Sequence, residues 1–201
     1  MIIHKIEQGS EDWHKIRQGK ITGSKVKQIG KSTELDLVDL LIAESVVQEI
    51  EESYTSYAMQ RGKDMEPFAL EAYKLATKNE IEIAGFCQSD LFDWLGFSPD
   101  ALTSNNTKVV EIKCPDTKNH VKYIRMDKVP ADYLPQCLLP FIVSPEIVEV
   151  DFVSYDPRFT VKPMHIITIT RDSHGKEILE LQEAIHKFYK KFKEYYDKMI
   201  F

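Results

Sequence analysis

Three charged residues stand in a short stretch that reads as a β-hairpin, Gly96-Phe-Ser-Pro-Asp-Ala-Leu-Thr-Ser-Asn-Asn-Thr-Lys-Val-Val-Glu-Ile-Lys-Cys-Pro115. With Asn105 and Asn106 as a two-residue turn, Asp100 falls opposite Glu111. Directly opposed side chains on one face of an antiparallel pair have Cβ atoms about 4.5–5.5 Å apart, where two like charges repel unless something offsets them. A divalent cation would do so. Hard cations such as magnesium take one or two protein carboxylates and fill their other positions with water and substrate phosphate. Lys113, two residues beyond Glu111, projects from the same strand face, where it could hold or deprotonate an attacking water and offset transition-state charge. The chemistry so assembled is phosphodiester hydrolysis. The competing reading is a surface ionic cluster of little energetic consequence, and acid-x-Lys alone is a common string.

The elements that would hold these residues alternate between helix and strand. Ser10 to Arg17 predicts a short helix, with Ser10 as cap, Glu11 and Asp12 in the first turn and Gly19 as stop. Ser24 predicts the cap of a second short helix running towards Gly30. A largely buried helix is expected from Leu35 to Ile50, and another from Glu66 to Thr77 with Pro67 in its first turn. Strands are expected at Glu80 to Phe86, in both hairpin arms, at Ile147 to Tyr155 and at Met164 to Arg171, with a helical stretch from Tyr133 to Val143 interrupted by Pro135 and Pro140. Ile178, Leu181, Ile185, Phe188, Phe192, Tyr195 and Met199 recur at spacings of three and four, the signature of an amphipathic helix over about residues 176–200. No internal repeat or linker interrupts residues 1–201, so a single α/β domain is expected.

Composition narrows the function class. The chain has 201 residues, 43% hydrophobic and 29% charged, with net charge −6, which argues against a protein that coats nucleic acid non-specifically. Charge is uneven: 32–56 carries seven acids and no Lys or Arg, whereas 108–128 carries six basic residues against three acidic. No apolar run approaches the roughly 18 residues of a membrane helix and no signal-peptide layout opens the chain, so a cytoplasmic protein without membrane contact is expected. Cys87, Cys114 and Cys137 are too few and too scattered for a disulfide framework or a four-cysteine cluster.

Ser98-Pro-Asp100 followed by Glu111-Ile-Lys-Cys-Pro115 resembles the core motif of the PD-(D/E)XK nuclease superfamily, and more narrowly the lambda exonuclease, or YqaJ-like viral recombinase, family. Four further patches agree in order: Trp13-x-x-x-Arg17, Gly19-Lys-Ile-Thr22-Gly-Ser24, Arg61-Gly62-x-x-x-Glu66-x-x-Ala69-x-x-x-Tyr73 and Tyr133-x-x-Gln136. The resemblance implies a restriction-endonuclease-like core, with a mixed central β-sheet flanked by helices. It implies a magnesium-dependent enzyme, with two ions and manganese as an alternative, that digests one strand of duplex DNA from its 5′ end. It also implies a homotrimer around the DNA, a phage annealing protein as partner, and a phage or prophage setting in a bacterial host.

Carried over by position, Asp100, Glu111, the Ile112 carbonyl and Glu66 resemble the metal ligands, Lys113 the catalytic lysine, Gln136 an active-site glutamine and Tyr133 the aromatic before it. Arg17, Thr22 and Ser24 match a 5′-phosphate pocket, and a guanidinium beside two hydroxyls and free helix amides is a good anion site on physical grounds too. Trp13 would pack beneath Arg17, and Met59 falls where the family places an apolar wedge. The rival readings are a structure-specific endonuclease with the same core and a catalytically silent DNA-binding subunit.

Overall fold

The computed structural model describes residues 1–47 and 56–200. The chain opens with strand β1 (Ile2–His4) and the short helices α1 (Glu11–Arg17) and α2 (Gly23–Val26). It continues through α3 (Glu34–Val46) and α4 (Tyr57–Thr77) to strands β2 (Ile81–Glu82), β3 (Phe86–Gln88), β4 (Gly96–Phe97), β5 (Ala101–Thr103) and β6 (Lys108–Lys113). Helices α5 (Thr117–Met126) and α6 (Leu134–Val143) precede β7 (Glu149–Tyr155), β8 (Met164–Thr170) and the long α7 (Gly175–Ile200).

The main sheet has the order β2-β5-β6-β7-β8, with β6 and β7 parallel and the other pairs antiparallel. A parallel neighbour requires a crossover, and α5 and α6 supply it. The expected mixed sheet between helices is therefore what forms. Strand β6 is buried on both faces. Val109 packs with Val150, Phe152, Ile167 and Ile169 towards α3, α6 and α7, while Val110, Ile112 and Val153 meet Ala69 and Tyr73 of α4. Strand alternation puts Glu111 and Lys113 on the Val109 side, facing α6.

The structure corrects several boundaries. Helix α3 ends at Val46 and buries only Leu37, Val38, Leu41 and Ile42, leaving Leu35 and Leu40 exposed, because a helix packed on one neighbour hides one stripe. Residues 48–50 of the expected helix lie outside the described residues. Helix α4 starts at Tyr57, so Pro67 sits in its interior rather than its first turn. The expected strand from Glu80 to Phe86 is two strands in different sheets: β2 pairs with β5, whereas β3 pairs with β1 and β4. The break falls at Gly85, where an added Cβ would lie 2.1 Å from the Ile6 carbonyl. Only glycine permits that approach.

Helix α7 carries the apolar stripe as expected, burying Ile178, Ile185, Phe188 and Phe192, while Tyr195 and Met199 near its end are exposed. All three cysteines are free thiols. Among the described residues no helix is long and apolar enough to cross a membrane. If the buried half of the α7 stripe closes the core, Phe188→Ala should lower the unfolding free energy by about 3–5 kcal/mol, whereas Met199→Ala should stay within about 0.5 kcal/mol. Urea midpoints at constant slope would measure both, and equal effects would show that α7 is not part of the core.

Candidate active site

The register of the β5–β6 pair matches Ala101 with Val110 and Leu102 with Val109; carried one residue further it brings Asp100 beside Glu111, with the Asp100 amide donating to the Val110 carbonyl at 3.1 Å. The connection is not the expected two-residue turn. It spans residues 104–107, and only Asn106, at φ 57°, takes the left-handed conformation that a two-residue type I′ turn needs twice. Asn105 Oδ1 closes the loop by accepting from Thr103 Oγ1 at 2.7 Å and Thr107 Oγ1 at 2.9 Å. The longer loop keeps the same centre, so the pairing survives.

Asp100 sits just before β5, where its side chain replaces the ladder: the Ile112 amide donates to Asp100 Oδ2 at 2.5 Å. Burial, then the charge of Glu111, pushes the Asp100 carboxyl well above the usual carboxylate range, against the pull of Lys113. Glu111 is 5% exposed and accepts from both Lys113 Nζ and Gln136 Nε2, the latter at 2.5 Å. For Lys113, burial disfavours the ammonium, yet the charges of Glu111 and Asp100 outweigh it and raise its pKa. The Tyr133 ring lies 5.3 Å from Nζ. Gln136 reaches this position because α6 accepts Pro135 in its first turn, where a missing amide costs nothing, and continues past Pro140 to Val143.

Glu66 approaches on α4. Burial raises its pKa first; Lys113 lowers it and Glu111 raises it further, so the carboxyl belongs to the same electrostatic group. Among the described residues no three Asp, Glu, His or Cys side chains converge closely enough to hold a metal ion as they stand. The donor chemistry nevertheless fits a hard divalent cation, because the raised Asp100 and Glu66 carboxyls reflect burial plus mutual repulsion that such a cation would reverse.

A second constellation lies beside this one. The Arg17 guanidinium stacks 3.9 Å above the Trp13 ring and donates to Ser98 Oγ at 2.6 Å, while Trp13 Nε1 donates to Ser98 Oγ at 3.0 Å and to the Gly85 carbonyl at 2.9 Å. Burial pulls the Arg17 pKa down to about 10, against the charge of Glu44, so the group stays cationic near neutrality. Thr22, rather than Ser24, is the residue before the first turn of α2; it is fully buried, and its hydroxyl lies 3.4 Å from that of Ser24. A four-residue helix adds little dipole, so Arg17 is the principal cation here. Helix α2 lies directly on α6. An added Cβ at Gly23 would stand 3.1 Å from Gln136 Cγ, so the glycine brings the two constellations together. The side chain of Met59 lies outside the described residues.

Sequence reasoning gave no role to Ser98, to Glu44, which pairs with Lys25, or to the meeting of Arg61 with Asp156. Ser98 and Arg61 lay inside recognisable motifs. Asp156 carried only the Asp-Pro pair that ends a strand.

Residues 12–145 match the model of the YqaJ-like viral recombinase domain. The comparison with curated protein sequences found no match. Among solved structures, the alkaline exonuclease LHK-Exo from Laribacter hongkongensis superposes with a TM-score of 0.84 at 28% identity, over 94% of this chain and 96% of that one. The same enzyme in complex with dAMP gives 0.80 at 28% identity, over 94% and 98%. A phage-related exonuclease from Haemophilus somnus 129PT shares the fold, with a TM-score of 0.61 at 13% identity over 90% and 95%. A match spanning the Arg17 constellation, the hairpin and α6, together with an alkaline exonuclease fold of the PD-(D/E)XK kind, supports a nuclease role: this chain belongs to the YqaJ-like viral recombinase family.

Proposed function

We propose that the protein is a magnesium-dependent 5′-to-3′ exonuclease that digests one strand of linear duplex DNA to 5′ mononucleotides and leaves 3′ single-stranded tails for phage-type recombination. The observation that carries this reading is the opposed Asp100–Glu111 pair, with Lys113 and Gln136 both on Glu111. The relative seen with dAMP supports it, since a nucleoside monophosphate is the kind of product such digestion releases.

In this reading Asp100, Glu111, the Ile112 carbonyl and Glu66 hold magnesium, with manganese as an alternative. The metal would polarise the phosphate and lower the pKa of the attacking water. Lys113, whose ammonium the Glu111 and Asp100 charges favour, donates to a phosphate oxygen and offsets its developing charge. Gln136 fixes the free rotation of Glu111. Arg17 and Ser24 together anchor the terminal 5′ phosphate in this proposal and thereby set the next phosphodiester over the carboxylates.

Charge on the surface fits this substrate. Lys118, Lys122 and Arg125 lie exposed along α5, which carries no acidic residue and begins four residues after Lys113, and among the described residues none of the three has an ion-pair partner. In a chain of net charge −6 this is a local basic face suited to a phosphate backbone. A ring of three copies enclosing the duplex, delivery of the 3′ strand to an annealing protein and a cytoplasmic setting belong to the same proposal.

The test is digestion, with magnesium, of linear duplex labelled at one 5′ or one 3′ end beside a closed circle. Early release of labelled 5′ mononucleotide with the circle intact is the expected result; cutting of the circle would replace the exonuclease with an endonuclease. Lys113→Ala should cut the rate by about 100-fold or more while duplex binding persists. Arg17→Ala should abolish the preference for 5′-phosphorylated over 5′-hydroxyl ends, and an unchanged ratio would remove Arg17 from the pocket.

A further inference from the structure

The carboxylate on α4 and the lysine on β6 come from different faces of the sheet, and something must set their separation. One guanidinium spans the gap. Arg61, five residues before Glu66 on α4, donates through Nη1 to the carbonyls of Cys114 and Pro115, both at 2.9 Å. These are the two residues that follow Lys113, beyond the last ladder pair of β6 with β7, Lys113 with Ser154. Through Nη2 the same side chain donates to Asp156 Oδ1 at 3.2 Å.

Asp156 follows β7, is fully buried, and is heavily engaged. It accepts from Thr117 Oγ1 at 2.5 Å, from Arg158 Nε at 2.8 Å and from Arg158 Nη2 at 3.0 Å. Burial alone would raise its pKa, but the bonds from Arg158 and Thr117 outweigh it and bring the carboxyl to about 2, so it remains an anion. Thr117 also opens α5. Helix α4, the chain leaving β6, the start of α5 and the end of β7 therefore converge on one ion pair. A second anchor holds α4 seven residues beyond Glu66, where the buried Tyr73 hydroxyl donates to Asp151 Oδ2 at 2.6 Å.

We infer that Arg61, seated on Asp156 and on the Cys114 and Pro115 carbonyls, is a positioning residue that sets Glu66 against Lys113. This rests on the nuclease reading of the site. Arg61 acts through the backbone it holds, and lysine cannot replace it, because one ammonium lacks the planar fork that reaches two carbonyls and a carboxylate together.

Arg171 supplies the internal control. Its guanidinium likewise clamps backbone, donating to the carbonyls of Phe141, Ser144 and Ile147, but at the opposite end of α6 from Gln136. The experiment compares the parent chain with Arg61→Ala, Arg61→Lys and Arg171→Ala, recording melting temperature, kcat and KM on linear duplex, the magnesium concentration for half-maximal rate, and backbone hydrogen exchange. Arg61→Ala should lower kcat and raise the magnesium requirement about 10- to 100-fold, with KM for DNA changed less than about threefold. Arg61→Lys should recover only part of that loss. Arg171→Ala should lower the melting temperature while leaving kcat and the magnesium requirement as in the parent.

Exchange reads the clasp without catalysis: Arg61→Ala should speed exchange in residues 61–70 and 112–117 together and leave β8 unchanged. An unaltered kcat and magnesium requirement in folded Arg61→Ala, or exchange unchanged in either segment, would overturn the inference. A parent that cleaves nothing while its Arg61→Ala variant loosens both segments would defeat the nuclease reading and retain the clasp as a structural tie.

Discussion

Two carboxylates facing each other across a strand pair, in a sheet covered on both sides, are the arrangement that the surrounding structure must accommodate. Taking a charge out of water costs several kcal/mol after relaxation, and a second like charge alongside adds to that cost. The chain meets it with three donors: Lys113 and Gln136 on Glu111, and the Ile112 amide on Asp100. Each has structural consequences. The Ile112 bond takes an amide from the β5–β6 ladder, so β5 begins only at Ala101. Gln136 stands on a helix that accommodates two prolines, and Gly23 lets α2 come close to its side chain.

The two ends of β6 differ in how far their carboxylates are satisfied. At its start, Asp151 on the neighbouring strand accepts from Tyr73 and Thr168, each at 2.6 Å, and pairs with Lys108, so both carboxylate oxygens are occupied by donors fixed within the fold. Such a network is complete and has nothing left to bind. At its other end, among the described residues Asp100 has a single donor, and its pKa is raised by burial and by the repulsion of its neighbours. Carboxyls that burial and like charge push upward are the kind of group functional sites are built from, and they single out this end of β6 as the candidate site.

Legibility in the sequence followed the range of the interactions. The Asp100–Glu111 register could be read because an antiparallel hairpin is local and its centre survives a change in loop length from two residues to four. The α1 cap and the buried half of α7 were legible for the same reason: Ser10 accepts from the Trp13 amide three residues on, and Ile178, Ile185 and Phe188 repeat at helical spacing. Strand β1 escaped because three residues carry no period, and β4, at the start of the expected hairpin arm, pairs instead with β3 in the smaller sheet. Helix α5 escaped because its cues, Asp116 as cap and only His120 and Tyr123 buried, sit in a stretch dominated by charge. Asp156 was invisible for a different reason: its partners Arg61 and Thr117 are 95 and 39 residues away and meet only when β7 lies parallel to β6.

The spacing between the Arg17 constellation and the carboxylates is fixed by short, stiff links rather than by the bulk of the fold. Ser98 receives both Arg17 and Trp13, and only Pro99 separates it from Asp100. Proline has a fixed φ, and the Pro99 carbonyl is held by Gln8 Nε2 at 2.7 Å, so neither rotation nor hinge motion of that link is available at low cost. On the other side Gly23 carries α2 against Gln136, which holds Glu111. An anion gripped at Arg17 is thus tied to each carboxylate by a separate route. In the proposed exonuclease, removal of one nucleotide at a time would follow from that rigidity, because a terminal phosphate seated at one point leaves a single phosphodiester within reach of the other.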